Sequence, residues 1–124
     1  MNILEEDEEY LSQKGYKWEL LADGENGALI IKDYPVNENV FDRPKIDLLI
    51  IIPAQYNNAK LDMFYVDPPL KKKDGSYPNA AEHFEDHVGR RWQRFSRHLN
   101  SWLPGIDSLA GFMSLISKEL QKNK

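Results

Sequence analysis

The sequence contains no cysteine, and this absence limits the chemistry available to the chain. It can form no disulfide bond, no zinc–thiolate centre and no thioester on one of its own side chains. Long apolar segments are lacking too, since the longest hydrophobic run extends only from Leu48 to Ala54 and is too short to cross a membrane. The first residues are acidic and lack the basic and apolar regions of a signal peptide. We therefore expect a cytoplasmic protein with no membrane partner.

Basic residues are fewer than acidic ones, with 16 lysines and arginines against 20 acids and a net charge of −4. This balance argues against a nucleic-acid partner bound through the whole surface. The charge is uneven, because Glu5–Glu9 is acidic whereas Lys71–Lys73 and Arg90–Arg97 are basic. Such runs are usually solvated faces, and recognition of a partner is the alternative.

Hydrophobic residues make up 41% of the 124 residues, which is enough for the core of one domain. We therefore treat residues 1–124 as a single domain. The sequence contains no pattern that indicates a cofactor, and it sets no oligomeric state.

Apolar periodicity and turn residues predict an α+β protein with helices packed on one face of an antiparallel sheet. A helix is expected over Ile3–Lys14, where Ile3, Leu4, Tyr10 and Leu11 share one stripe and Gly15 follows. The period then changes to that of strands. A four-stranded antiparallel meander is predicted, with strands at Tyr16–Leu21, Ala28–Tyr34, Ile46–Ile52 and Leu61–Val66.

The second half of the chain has a weaker pattern. Between Leu70 and Pro104 it predicts an irregular segment, with one short helix over Asn79–Val88. Apolar residues at helical spacing then predict a last helix over Ser108–Lys122, which Asp107 is expected to cap.

One stretch, GRRWQRFSRHLNSWLPGID at Gly89–Asp107, combines aromatic and basic residues around a Pro-Gly turn. Its large rings, Trp92, Phe95 and Trp102, are predicted to fill the core around the irregular segment. The alternative is an aromatic and arginine-rich platform that binds an acidic partner or stacks on bases.

The order of these elements resembles the ubiquitin-conjugating-enzyme fold, also called UBC-like. Pro53 and Tyr56 occupy the places of that fold's Tyr-Pro stretch, and Trp102-Leu103-Pro104 before a helix matches its Trp-x-Pro. Four further features resemble the prokaryotic branch called family E, which is linked to bacterial ubiquitin-like modification systems. These features are MFYVDPPL at 63–70, Asp74-Gly75, WQRFSRH at 92–98 and the W-x-P-G-x-D-x-L pattern at 102–109.

The resemblance covers nearly the whole chain from about Lys17. It implies a truncated UBC-like domain, because the last two helices of the fold have no counterpart. It also implies two partners, a ubiquitin-like protein and its activating enzyme.

The chemistry of the resembled fold requires a cysteine several residues before the Trp-x-Pro. Counting back from Trp102 leads to Arg94, and the nearest chemically related residue is Ser96. A serine would form an oxyester, which is a poorer acyl donor than a thioester. The resemblance therefore places Ser96 and His98 at the catalytic position, with Arg94, Arg97 and Trp102 as binding residues. The family's His-Pro-Asn context is missing around Asn79, so no oxyanion role is assigned there.

The sequence also allows other roles for Ser96, His98 and Arg97. Ser96 and His98 would meet as a hydrolytic pair only in a turn, and no Gly-x-Ser-x-Gly elbow surrounds the serine. His98 is alternatively a structural histidine beneath Trp102, and Arg97 alternatively pairs with an acid such as Asp107.

A second histidine pattern allows a metal site. In the predicted helix, His83 and His87 would share one face, as a zinc pair requires, with His98 or Asp86 as a third ligand. Ordinary, partly exposed histidines are the alternative, and we predict no metal.

The sequence therefore predicts a ubiquitin-conjugating-like component of a bacterial modification system that lacks the catalytic cysteine. It would act as a non-catalytic adaptor or as a diverged carrier. A stand-alone protein-interaction domain of the same shape, with no link to ubiquitin-like proteins, is the alternative function. A small metal-dependent or serine-based hydrolase is a third possibility.

Overall fold

A computed structural model describes residues 3–97 and 101–121 of the chain. The described part is α+β, with two helices and six strands in one antiparallel sheet. In chain order the elements are α1 (Glu5–Gln13), β1 (Lys17–Asp23), β2 (Asn26–Pro35), β3 (Lys45–Ile52), β4 (Phe64–Asp67), β5 (His83–His87), β6 (Arg90–Phe95) and α2 (Leu109–Leu120). Neither helix in those ranges has the length and apolar character that a membrane span needs.

The sheet has the strand order β1-β2-β3-β4-β6-β5, so its first four strands are neighbours both in sequence and in space. Gly24 supports the turn between β1 and β2 because its backbone adopts a positive φ of 64°. The aliphatic run of β3 lies inside the sheet, where Leu48, Leu49 and Ile50 are fully buried. The predicted α+β class is therefore confirmed, whereas the sheet has six strands and not four.

The prediction of a short helix at Asn79–Val88 is wrong, because this segment contains β5. β5 and β6 form a hairpin in which Glu85 lies opposite Trp92 and His87 lies opposite Arg90. The turn consists of Val88 and Gly89, both with positive φ, at 46° and 77°. Two residues with positive φ suit the right-handed twist of a hairpin, but a β-branched residue is unusual at the first of them.

The helices cover one face of the sheet and form the main core with it. α2 contributes its apolar stripe, which comprises Leu109, Phe112, Met113, Ile116 and Leu120. The predicted helix at this place is confirmed over Leu109–Leu120, and its expected last residue, Lys122, lies outside the described residues. Phe64 of β4 and Phe95 of β6 stack in the same core with ring centroids 4.9 Å apart.

The opposite face of the sheet encloses a second, smaller cluster, composed of Ala28, Ile30, Leu49, Tyr65 and Trp92. Trp92 is fully buried there, and its indole Nε1 donates to the carbonyl oxygen of His87 at 3.0 Å. Asp23 and His87 belong to the two edge strands, yet their side chains lie 3.1 Å apart. The sheet is therefore twisted enough to bring the last residues of its two edge strands into contact, on the face that carries the second cluster.

Candidate functional site

A buried carboxylate joins the elements around the predicted site. Asp7, only 1% exposed, accepts hydrogen bonds at Oδ2 from the Leu4 amide at 3.0 Å and from the Tyr56 hydroxyl at 2.7 Å. Its Oδ1 accepts from the Leu109 amide at 3.3 Å. That amide also donates to the Tyr56 hydroxyl oxygen at 2.8 Å. Asp7 thus ties the starts of α1 and α2 to the loop after β3, where a negative charge is favourable for both helices.

Tyr56 acts as both donor and acceptor in this group. Burial and then the hydrogen bond to Asp7 raise the pKa of Tyr56 above its ordinary value of 10.0. The phenol therefore stays protonated at physiological pH, as donation to a carboxylate requires.

The Trp-x-Pro-Gly turn is fixed by backbone and side-chain contacts to one residue of the same loop. The carbonyl oxygen of Asn57 accepts from Trp102 Nε1 at 3.0 Å and from the Gly105 amide at 3.2 Å. The Asn57 side chain donates to the Asp107 carbonyl oxygen at 2.6 Å. Trp102 is half-buried, and this network holds it over the loop that follows β3.

The expectation that Asp107 caps α2 is wrong. Its Oδ2 instead accepts from the Leu103 amide at 2.8 Å and closes the turn before the helix. Ser108 is the N-cap residue and makes no side-chain cap bond, so Asp7 and Tyr56 satisfy the first amide of α2. The sequence could not identify this cap, because Asp7 is 102 residues from Leu109 and lies within an acidic run.

Ser96 is the first residue after β6, and its amide donates to the Ala80 carbonyl oxygen at 3.1 Å. Its side chain is half-buried. The next residue, Arg97, pairs through Nε with Glu119 Oε2 of α2 at 3.1 Å and donates from Nη1 to the Ser96 carbonyl oxygen at 3.2 Å. The alternative that Arg97 pairs internally with an acid is therefore confirmed, although the acid is Glu119 and not Asp107. His98, the expected partner of Ser96, lies outside the described residues.

Arg94 and Arg97 do not form one surface. Arg94 lies on the sheet face of the second cluster, where its Nη1 donates to Glu85 Oε2 at 2.7 Å. Arg97 lies on the helix-covered face, beside Glu119. Side chains alternate along β6, so Trp92 and Arg94 share one face while Gln93 and Phe95 share the other.

Gln93 is a buried polar residue that the sequence did not single out. It is fully buried, and its Nε2 donates to the carbonyl oxygens of Leu70 at 2.9 Å and Ala81 at 2.7 Å. Its Oε1 accepts from the Leu70 amide at 2.7 Å. One side chain thus attaches the segment between β4 and β5 to β6, immediately before Ser96.

His83 and His87 lie on β5, so the expectation of helical zinc spacing is wrong. His87 Nδ1 is 3.1 Å from Asp23 Oδ2, and Nε2 is 3.0 Å from Glu85 Oε1. Within residues 3–97 and 101–121, no group of three or more histidine, cysteine or acidic side chains could hold a metal ion. We call the contact group of Asp23, Glu85 and His87 the edge clasp.

Glu85 is the central anion of the edge clasp. Burial favours its neutral form, but hydrogen bonds from His87, Arg94 and Tyr65 outweigh this and lower the pKa of Glu85 below 4.5. The same neighbourhood affects Tyr65, since burial and then the charge of Glu85 raise the pKa of Tyr65 to about 12.

A cavity of 180 Å³ is lined in part by Arg97, and we call it the Arg97 cavity. Its lining residues are Val40, Phe41, Lys72, Pro78, Asn79, Arg97 and Glu119. Three larger crevices, of 630, 310 and 320 Å³, include none of the predicted site residues in their linings. Of these four cavities, only the smallest includes a residue predicted from the sequence to bind a partner.

Comparison with known protein families matches residues 3–123 to the family described as prokaryotic E2 family E. Comparisons with curated proteins and with solved structures find no significant match.

Proposed function

The chain belongs to prokaryotic E2 family E, a family of ubiquitin-conjugating-like proteins, and we propose that it is a non-catalytic adaptor in a bacterial ubiquitin-like modification system. Its proposed partners are a ubiquitin-like protein and the activating enzyme for that protein, and its proposed location is the cytoplasm. It would position the ubiquitin-like protein without forming a covalent bond to it.

The observation that carries this proposal is a firmly held Trp-x-Pro-Gly turn in a chain that has no cysteine. Asn57, Trp102 and Asp107 hold the turn, and Asp7 anchors the helix that follows. Thioester transfer needs a thiolate that both attacks and leaves readily, and this chain cannot supply one. This combination supports an adaptor that would keep the surroundings of an acyl-transfer site without the nucleophile.

Exposed apolar side chains next to the turn favour a binding role. Leu103 is 55% exposed and Ile106 is 72% exposed. The neighbouring Trp102 ring instead packs against the Tyr56 ring, with the two ring centroids 6.4 Å apart. These two exposed apolar side chains would offer a partner a small apolar contact beside the turn. Trp102 would then act as a binding residue mainly by supporting this turn.

The diverged carrier is the second version of this proposal, and the place of Ser96 directly before Arg97 supports it. In this version the Ser96 hydroxyl attacks the acyl carbon of the activated ubiquitin-like carboxyl terminus. The acyl–sulfur bond to the activating enzyme breaks, its sulfur leaves as a thiolate, an oxyester forms on Ser96, and His98 takes the hydroxyl proton. Because Arg94 and Arg97 lie on opposite faces of the sheet, they would bind separate parts of the partners.

A charging assay distinguishes the two versions. The protein is mixed with the cognate activating enzyme, ATP and ubiquitin-like protein, and intact mass is measured for the natural chain, Ser96→Cys and Ser96→Ala. We expect no adduct on the natural chain and measurable binding of the ubiquitin-like protein by calorimetric titration.

Other outcomes have defined meanings. An adduct that Ser96→Ala abolishes would replace the adaptor with the carrier. An adduct only on Ser96→Cys would place the acyl position at this residue while leaving the natural chain non-catalytic. Absence of binding in all variants would overturn the proposal and leave a stand-alone protein-interaction domain.

A further inference from the structure

One of the three larger crevices, that of 310 Å³, lies between the two helices and the sheet, and we call it the tyrosine cavity. Three tyrosines line it, namely Tyr10 of α1, Tyr16 just before β1 and Tyr34 of β2, together with Lys14 and one side of α2. Cavities that bind small organic molecules begin at about this size, roughly 300 Å³. The space therefore suits one ring with a short side group.

Lys14 gives the tyrosine cavity a positive charge that no acid offsets. Among the described residues, no aspartate or glutamate lines this cavity. In residues 3–97 and 101–121 the Lys14 ammonium also has no ion-pair partner, and it lies over the Tyr10 ring at 5.8 Å from the ring centroid. A ligand with one negative charge would supply the missing counter-charge, which favours an anion over a neutral molecule.

Hydroxyl groups of the lining are placed to donate to the same anion. In the part of the chain that the structure describes, the side chains of Tyr10, Tyr16 and Ser114 make no hydrogen bond. Burial raises the pKa of Tyr10 and that of Tyr16 above the ordinary value of 10.0, so both phenols keep the protons that they would donate. The Tyr34 hydroxyl is hydrogen-bonded with Ser117 instead.

The walls of the tyrosine cavity favour an aromatic body on the ligand. The rings of Tyr16 and Tyr34 lie 5.8 Å apart between centroids, and Tyr34 and Met113 are each only 1% exposed. Aromatic rings and thioethers pack well against a further ring. Tyrosine rings also attract cations, but Lys14 already places a positive charge over Tyr10 and would repel a second one.

We propose that the tyrosine cavity binds a small aromatic carboxylic acid. The carboxylate would lie at Lys14 and the phenols of Tyr10 and Tyr16, with the ring of the ligand against Tyr34. Such a ligand would connect the end of α1 to α2 without any covalent step. The lining includes neither Ser96 nor the Trp-x-Pro-Gly turn, so this inference goes beyond the proposed function and does not depend on it.

An NMR titration of the ¹⁵N-labelled chain tests this site with four related probes. Phenylacetate carries the ring and the carboxylate, 2-phenylacetamide lacks the charge, 2-phenylethylammonium reverses it, and cyclohexylacetate lacks the aromatic ring. We expect phenylacetate to shift the amides of Lys14, Tyr16 and Ser114 with a dissociation constant below about 1 mM. Affinity is expected to be at least about tenfold weaker for the amide and about threefold weaker for cyclohexylacetate. We expect no binding of the cation.

Matched variants assign the effect to the cavity. Lys14→Gln is expected to weaken phenylacetate binding by about tenfold and Tyr16→Phe by about threefold. Lys17→Gln removes a nearby exposed cation that does not line the cavity, so it should bind like the natural chain. A cation at the end of α1 also favours the helix. Urea unfolding of each variant therefore checks that a change in affinity is not a loss of folding.

Four outcomes would overturn the proposal. Equal affinity for phenylacetate and 2-phenylacetamide would show that the charge is not recognised. Equal binding by the natural chain and Lys14→Gln would place the ligand elsewhere. Tighter binding of 2-phenylethylammonium would identify a site for cations, and absence of amide shifts with all four probes would show that the cavity binds no such ring.

Discussion

Asp7 shows how much one side chain contributes to the site. Its acidic neighbours on α1, including Glu8, are exposed, while Asp7 itself is 1% exposed and accepts three hydrogen bonds. A carboxylate that is buried with several donors is costly to remove, because each donor then loses a charged acceptor in a place that water does not reach.

We expect Asp7→Ala to lower the free energy of unfolding by about 3 kcal/mol, since it leaves the Leu4 and Leu109 amides without this acceptor. Urea unfolding followed by tryptophan fluorescence measures the change. Glu8→Ala on the same helix is the matched control and should change stability by less than about 0.5 kcal/mol. Equal effects of the two variants would contradict the role of Asp7 as the link between α1 and α2.

At the scale of elements, the sequence predicts those helices and strands whose apolar spacing can be recognised within the element itself. The aliphatic run of β3 and the apolar stripe of α2 specify their own conformation, so both were predicted within a residue or two. The β5–β6 hairpin was missed because its turn, Val88-Gly89, lacks the Asn-Gly or Asp-Gly signature and places a β-branched residue at positive φ. His83 and His87 added to the error, because their four-residue spacing also fits a helix.

The candidate site was predictable only in part for the same reason. The family resemblance proposes Ser96, Arg97 and Trp102 as site residues, whereas Asp7, Asn57 and Gln93 act through contacts distant in sequence. No local pattern distinguishes a buried Asp7 from the exposed acids beside it.

The β5–β6 hairpin gives a prediction about pH. Because the pKa of Glu85 is lower in the folded chain than its ordinary value of 4.5, the folded state favours the ionised carboxylate. This contribution to stability is fully present above pH 4.5 and is lost as the pH falls through the lower, folded-state pKa.

We therefore expect the free energy of unfolding to fall more steeply with acidification below pH 4.5 in the natural chain than in Glu85→Gln. Urea midpoints measured between about pH 3 and pH 7 provide the comparison. Glu82→Gln, which changes an exposed acid just before β5, serves as the control. Parallel pH profiles for the natural chain and Glu85→Gln would refute this assignment.

At the scale of the whole molecule, the edge clasp links the ends of the sheet. Asp23 and His87 are 64 residues apart in sequence and belong to strands at opposite edges. Their contact is half-buried, with side-chain exposures of 26% and 17%. Formation of this contact therefore depends on the twist of the entire sheet and not on any single hairpin.

A double-mutant cycle with Asp23→Ala and His87→Ala is expected to give a coupling free energy of about 1 kcal/mol at neutral pH. The exposed pair of Glu19 and Lys32, 3.5 Å apart, offers the matched cycle and should give less than about 0.5 kcal/mol. Urea unfolding of the single and double variants supplies both values. Equal coupling free energies in the two cycles would show that the contact between Asp23 and His87 stabilises the sheet no more than an exposed ion pair does.

Closure of the sheet also bears on solubility. Unpaired strand edges are templates for strand addition by other copies, and proteins commonly protect them. Here the last residue of β1, Asp23, contacts the last residue of β5, His87, whose carbonyl oxygen accepts from the buried indole of Trp92. Loss of this contact would uncover the ends of both edge strands, so we expect variants that lack the edge clasp to aggregate more readily.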